Sequence, residues 1–165
     1  MKTLLLLRHG KSSWKDTALA DHDRPLKKRG HIAVEQMAHL LVNQELIPKH
    51  VLTSTAVRTR DTAHLVRFVA NFSATIEEVP ALYHAELRTF VAVVSRVPRQ
   101  FDSVLVVGHN PGLADWLSRL TGCQDELPTA SLAHIVLPIK NWMDLALETR
   151  GELRHVWHPK ELAGE

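Results

Sequence analysis

Cysteine is nearly missing from this chain, with Cys123 the single example in 165 residues. One thiol excludes an internal disulfide framework and a cysteine-built zinc site, and it suits a reducing, cytoplasmic setting. Long apolar runs are missing too. The opening leucines, residues 4–7, are too few for the core of a secretory leader and are closed by Arg8. No stretch approaches the length of a bilayer span, so no membrane contact is expected. Charge of one sign is also lacking: 20 Lys and Arg face 18 Asp and Glu, and no block of five or six like charges occurs. That removes the electrostatic footprint of a nucleic-acid binder. Trp14, Trp116, Trp142 and Trp157 are spread out, as packing residues are, rather than grouped into a base-stacking platform.

Metal-binding patterns are scarce as well. There is no H-E-x-x-H and no cluster of carboxylates around the histidines that matter below, so neither a metal nor another cofactor is expected. Asp21-His22-Asp23 has the right residue types, but the adjoining Arg24-Pro25 marks it as a loop entering a helix. His155 and His158 would point to opposite faces of a shared strand and make a poor ligand pair. With no repeat, low-complexity tract or Gly/Ser linker, the chain is expected to form one domain over residues 1–165.

What is present is an ordinary globular composition, 45% hydrophobic and 23% charged. It is arranged as alternating strand and helix signals. Residues 3–8 (TLLLLR) and 103–110 (SVLVVGHN) are short apolar runs ended by polar residues, the mark of strands covered on both faces. Residues 50–54 and 74–79 are further strand candidates. Between them, residues 26–44 have helical spacing, with Ile32, Met37, Leu40 and Leu41 on one face. Residues 56–72 place Val57, Ala63, Leu65, Val66 and Val69 together. Residues 86–97 and 112–122 are two more helices, the second stopped by Gly122. Near the end, residues 130–139 and 151–158 read as antiparallel neighbours. The pattern predicts an α/β three-layer sandwich with a mainly parallel sheet and an antiparallel edge strand. Ligands of such sheets sit beyond the carboxyl ends of the strands.

Arg8-His9-Gly10 and His109 fall at such ends. Arg8-His9-Gly10 on its own admits two readings. One is a strand leaving the sheet through a glycine with its side chains solvated; the other is a nucleophilic imidazole beside an anion-holding guanidinium. Residues 53–55 follow a strand and open a helix, where Ser54 or Thr55 is a candidate cap and free N–H groups favour an anion. Arg58 in the first turn of that helix opposes the helix dipole. It either pairs with Asp61 or supplies a second guanidinium. In GHNPG, Gly108 permits close backbone approach and Pro111 suits the first turn of the following helix. Two histidines and two arginines at one sheet edge match phosphate better than any other anion.

These segments resemble the histidine phosphatase superfamily. Its leading R-H-G stands as Arg8-His9-Gly10, its S-x-x-x-R-x-x-x-T-A segment as Ser54, Arg58, Thr62 and Ala63, and its second histidine as His109. RHGKSSW, DRPLKKRG (23–30), GHNPGL (108–113) and PTASLA (128–133) resemble the SixA-type phosphohistidine phosphatases in particular. The resemblance implies a phosphoglycerate mutase-like fold and a metal-independent phosphatase. It implies that His9 is transiently phosphorylated while Arg8, Arg58 and His109 hold the phosphoryl oxygens, with Lys11 and Ser12 as further phosphate donors. Asp23 and Arg24 belong to the same loop or to the rim that meets the substrate.

A general acid is the open position. His84 and Glu86 are the nearby titratable candidates, and Glu86 also suits a helix start. An alkyl ester needs its leaving oxygen protonated, whereas the N–P bond of phosphohistidine is weak. The expected substrate is therefore phosphohistidine on a partner protein, a phosphotransfer domain or phosphocarrier, met by a monomer. The alternatives are a phosphatase for small esters such as sugar phosphates, or a non-catalytic phosphate-binding module.

Overall fold

The computed structural model of the protein describes residues 1–163. Six strands, β1 (Lys2–Arg8), β2 (His50–Thr53), β3 (Ile76–Glu78), β4 (Ser103–Gly108), β5 (Leu132–Leu137) and β6 (Glu152–Trp157), form one sheet in the order β3-β2-β4-β1-β5-β6. The helices are α1 (Lys28–Asn43), α2 (Val57–Ala70), α3 (Leu87–Val94), α4 (Gly112–Thr121) and the short α5 (Pro159–Ala163).

The leucines of β1 show why the sheet is central. Leu4 and Leu6 pack into the cluster that contains Phe90, Val94, Leu113 and Leu117 of α3 and α4. Leu5 and Leu7 pack against Val34, Met37, Ala63 and Val66 of α1 and α2 on the other face. All four leucines are fully buried, each contributing about 1.5–3 kcal/mol of transfer free energy. A strand sandwiched this way needs apolar residues in succession, not in alternation. Phe90 stacks on Trp116 with ring centroids 5.0 Å apart, closing the α3–α4 layer.

Strands β3, β2, β4 and β1 are parallel neighbours. Residues 130–139 and 151–158, expected as antiparallel neighbours, are β5 and β6: β5 runs antiparallel to β1, and β6, antiparallel to β5, takes the edge. The reason is where the chain returns. After α4 it crosses above the carboxyl end of β1, where the Ala130 N–H meets the carbonyls of Arg8 (3.1 Å) and His9 (2.9 Å). A strand that starts there must run downward.

Two helix faces differ from the periodicity. Ile32 was expected in the core but is 49% exposed, and the buried face of α1 is Val34, Met37, Ala38 and Leu41. Ile32 stands two residues, about 200°, from Val34 on the helix. In α2, Ala63 and Val66 are buried while Val57, Leu65 and Val69 are half-buried, because Arg58, Thr59 and Thr62 share the inward face. Among the described residues no helix is long and apolar enough to cross a membrane.

One close approach sets the position of the first loop. A Cβ on Gly30 of α1 would lie 2.2 Å from the Lys11 carbonyl oxygen, and one on Gly10 would lie 2.9 Å from the Gly30 carbonyl oxygen. Both positions require glycine because backbone meets backbone. Gly108, by contrast, leaves ordinary room, 3.4 Å to Leu113. Gly30→Ala is expected to lower stability by about 1–3 kcal/mol, read as a reduced urea midpoint, and to reduce turnover by displacing residues 9–12.

Candidate active site

Three adjacent parallel strands deliver residues to one edge. His9 follows β1, Ser54 follows β2 just ahead of Arg58 in α2, and His109 follows β4. A cavity of about 290 Å³ is lined there by Arg8, His9, Arg58 and His109 together with Lys11 and Ser12. Arg24 and Lys27 complete its charged wall, and His84 also lines it.

His9 is held at both ends. Its backbone N–H donates to the Gly108 carbonyl at 3.2 Å, tying β1 to β4. Its Nδ1 lies 2.7 Å from the Gly10 carbonyl oxygen. A carbonyl only accepts, so Nδ1 carries the proton and Nε2 keeps a free lone pair. The loop is anchored sideways, because the Gly10 N–H donates to Thr62 Oγ1 (3.0 Å) and that hydroxyl donates to the Arg58 carbonyl (2.7 Å). The threonine of the S-x-x-x-R-x-x-x-T spacing thus joins the histidine loop to the arginine helix.

His109 is buried with its ring 5.3 Å from that of His9. Its Nε2 is 2.6 Å from Ser54 Oγ, which in turn is 2.7 Å from Thr59 Oγ1. Ser54 was a candidate helix cap; α2 is instead capped by position at Ala56, with no side-chain cap. Only a weak 3.3 Å contact from the Ala56 N–H reaches the serine oxygen. The main contacts of Ser54 are with His109 and Thr59.

Burial pushes the His9 imidazole down to about 4, with Arg58, Arg8 and Arg24 adding to the effect and the Gly10 carbonyl opposing it. Burial also pushes His109 down to about 3, reinforced by His9 and Arg58. Arg8 is lowered from its usual value by burial and by Arg58. Arg8 Nη1 donates to the Leu127 carbonyl at 3.2 Å. Among the described residues, the Nε atoms of Arg8 and Arg58 and Nδ1 of His109 are buried without a partner. Buried nitrogens in that state carry a cost that an anion with several oxygens would offset.

Arg58 does not pair with Asp61. Its Nη1 donates to the Asp21 carbonyl (2.7 Å) and its Nη2 to Asp21 Oδ2 (3.0 Å). Asp21 also accepts from Arg24 Nε and Nη2 (3.2 and 3.0 Å) and from the Tyr83 hydroxyl. The Tyr83 bond, then Arg58 and Arg24, hold its carboxyl far below the ordinary range. Sequence reading missed this residue's role. The available signal was Arg24 three residues on, where the two side chains share one side of a turn.

The other candidates fall at different depths. Ser12 is buried and accepts from Arg24 Nη1 at 2.8 Å, while Arg24 also lies 3.5 Å above the Trp14 ring. Lys11 is exposed on the rim. His84 is exposed at the pocket mouth, its ring 5.7 Å from that of His109 and its Nε2 3.8 Å from Asp21 Oδ2. Glu86 occupies the N-cap position of α3 and lines a neighbouring groove rather than the cavity around His9. Asp23 contacts His22 at 3.6 Å, away from the arginines. Among the described residues no three His, Cys, Asp or Glu side chains group as metal ligands would.

Strand ends, guanidiniums and neutral imidazoles together define an α/β site for transferring a phosphoryl group. Comparison with known proteins gives its family. A model of the histidine phosphatase superfamily (branch 1) matches residues 4–89, and the chain belongs to that superfamily. It is thus a phosphatase by family, with a SixA-like form. An uncharacterized protein of Mycobacterium tuberculosis is 31% identical over 151 residues, covering 84% of this chain and 91% of the relative. A chloroplastic protein of Arabidopsis thaliana is 30% identical over 143 residues; the match covers 80% of this chain but 65% of the relative, just under two thirds of its length. Among solved structures, a protein assigned as phosphohistidine phosphatase SixA from Nakamurella multipartitia aligns with a TM-score of 0.81 at 31% identity, over 96% of each chain. A second, from Agrobacterium tumefaciens, aligns at 0.80 and 26%, over 96% of this chain and 98% of that one. The protein histidine phosphatase SixA in complex with tungstate, at 0.83 and 23% over 97% and 99%, shares the fold.

The depressed imidazoles have a consequence for stability. Unfolded histidines titrate near 6.5, so below that pH the unfolded chain binds protons that folded His9 and His109 refuse until about 4 and 3. Their contribution is complete above pH 6.5 and is lost as pH falls toward 4, at up to about 1.4 kcal/mol per pH unit for each ring. Urea midpoints measured from pH 7.5 to 4.5 should hold above 6.5 and then decline. A level profile across that range contradicts the buried, neutral assignment.

Proposed function

We propose that the protein removes the phosphoryl group from phosphohistidine on a partner protein, a phosphotransfer domain or phosphocarrier. In this reading His9 Nε2 attacks phosphorus as the N–P bond of the substrate breaks. The departing imidazole takes a proton from water or from His84 at the pocket mouth. Water then attacks phosphorus on phospho-His9, releasing inorganic phosphate and restoring the imidazole. Arg8, Arg58 and His109 hold the three oxygens on which charge gathers, with Lys11 and Ser12 closing the near side. Positive charge for this comes from the chain's own guanidiniums.

The observation that favours phosphohistidine over an alkyl ester is the state of the carboxylates. Asp21, the one beside the guanidiniums, is engaged by Arg58, Arg24 and Tyr83 and held ionised. Glu86 lies outside the cavity. A site without a protonated carboxyl suits a leaving group that needs little help, and imidazole leaves far more readily than an alkoxide. The two SixA proteins aligned at 31% and 26% identity are assigned as phosphohistidine phosphatases.

Phosphate release from a phosphohistidine-bearing carrier protein, followed in excess chelator, tests the reading. The unaltered enzyme is expected to turn over and to trap an acid-labile phosphate on His9. His9→Ala should lose about a thousandfold or more of the rate, and Arg58→Ala about a hundredfold. Rapid hydrolysis of sugar phosphates with an inert phosphoprotein would replace this reading with the small-ester one. Activity that disappears with chelator would remove the metal-free mechanism.

A further inference from the structure

A second concavity, about 720 Å³, adjoins the phosphate pocket and shares Lys11 and Thr129 with it. One wall is the outward face of α1, where Arg29, Ile32, Ala33 and Gln36 line up at the spacing of a helix stripe. The opposite wall is Pro128 and the start of α5 at Pro159. Ile32, Ala33, Pro128 and Pro159 give the lining its apolar part, and Ile32 is half open to solvent.

The rim is net positive. Lys11, Arg29 and Lys160 stand around the groove against one carboxylate among the described residues, Glu161. The basic character continues into the catalytic cavity through Lys27 and Arg24, and among the described residues no carboxylate lines that cavity. The groove on the far side is different. There Arg88 and Arg119 are balanced by Glu86 and Asp115. One flank of the site attracts anions and the other does not.

We propose that the groove between α1 and α5 docks an amphipathic helix of the phosphohistidine-bearing partner. Its apolar side chains rest on Ile32 and Pro159, and its acidic residues face Arg29, Lys11 and Lys160. The inference rests on the reading of the substrate as a phosphoprotein and adds which surface of that protein is recognised. Three observations point to this occupant. The groove adjoins the phosphate cavity at Lys11 and Thr129, so a helix lying in it carries its own phosphohistidine to His9. An apolar stripe between two helices is the usual seat for a helix. The net positive rim steers an acidic face toward it and repels a basic one.

Two helical peptides of about 20 residues, each with one phosphohistidine and the same leucines, provide the probe. One carries glutamates beside the leucines and the other lysines. The full-length enzyme is expected to favour the acidic peptide by about tenfold in kcat/KM, mainly through KM. The double variant Arg29→Glu, Lys160→Glu should abolish or invert that preference. Ile32→Ser should raise KM for both peptides. All these variants should hydrolyse free phosphohistidine, the amino acid alone, at the unaltered rate. Equal turnover of the two peptides, or a preference that survives the double variant, would refute the groove while leaving the phosphoprotein reading in place. An equal loss on free phosphohistidine would show that these residues act on the chemistry instead, and also overturns the docking role. Hydrolysis of free phosphohistidine with neither peptide accepted removes the phosphoprotein reading and the groove together. Binding of the unaltered protein to anionic lipid vesicles, abolished by the double variant while peptide turnover is not, would assign the groove to a membrane surface.

Discussion

The hydrogen bond from His9 Nδ1 to the carbonyl of Gly10, at 2.7 Å, fixes which nitrogen is free to react, and much of the structure serves to keep it in place. The carbonyl can point at the ring because the loop turns sharply after β1. It can turn there because residues 10 and 30 lack a side chain and their backbones nearly touch. Thr62 then pins the Gly10 amide to α2, and Gly108 pins the His9 amide to β4. Buried leucines hold β1 itself between two helical layers. A change in the core therefore reaches the imidazole through a short chain of contacts, each of which is a hydrogen bond or a backbone approach.

Charge imposes the second constraint. Bringing Arg8 and Arg58 to one cavity with their Nε atoms buried is unfavourable by itself, as the lowered Arg8 shows. The fold moderates the conflict in two ways. It keeps both imidazoles neutral through burial, so no further positive charge is added at ordinary pH. It also spends one carboxylate, Asp21, on Arg58 and Arg24. That carboxylate approaches from the loop at 21–23, beside the cavity rather than in its lining, so the wall facing a phosphate carries no negative charge among the described residues. Backbone strain gathers in the same place. His84, Leu127 and Ala130 take left-handed conformations in loops bordering the site, positions that non-glycine residues seldom adopt.

The sheet and the placing of Arg8, His9 and His109 at its edge were legible in the sequence because their signals are local. An apolar run ended by Arg8-His9-Gly10, and another ended by Gly108-His109, give both the strands and the edge at which they meet. What was hidden depends on distant segments. Asp21 and Arg58 are 37 residues apart, and nothing in DHDR announces that a guanidinium from α2 will arrive. Ser54 carried the local mark of a cap, yet the stronger partner, His109, comes from 55 residues away. Ile32 fitted helical spacing, but spacing alone cannot separate a core face from a groove-lining one. The place of β5 within the sheet likewise follows from how residues 123–131 cross over β1, a tertiary fact.

Tyr83 is the chain's one tyrosine. It donates to Asp21, lies edge-on to His109 at 5.3 Å between ring centroids, and is packed in the same way against His22 at 4.9 Å. Burial and then the Asp21 carboxylate raise its hydroxyl above the ordinary phenol value. A solitary ring in contact with the arginine's counter-ion and the second histidine is a native reporter. In a proton spectrum its two pairs of ring signals belong to no other tyrosine. Their shifts would register occupancy of the phosphate cavity, and rearrangement of the loop at 21–23, without a label or an engineered residue.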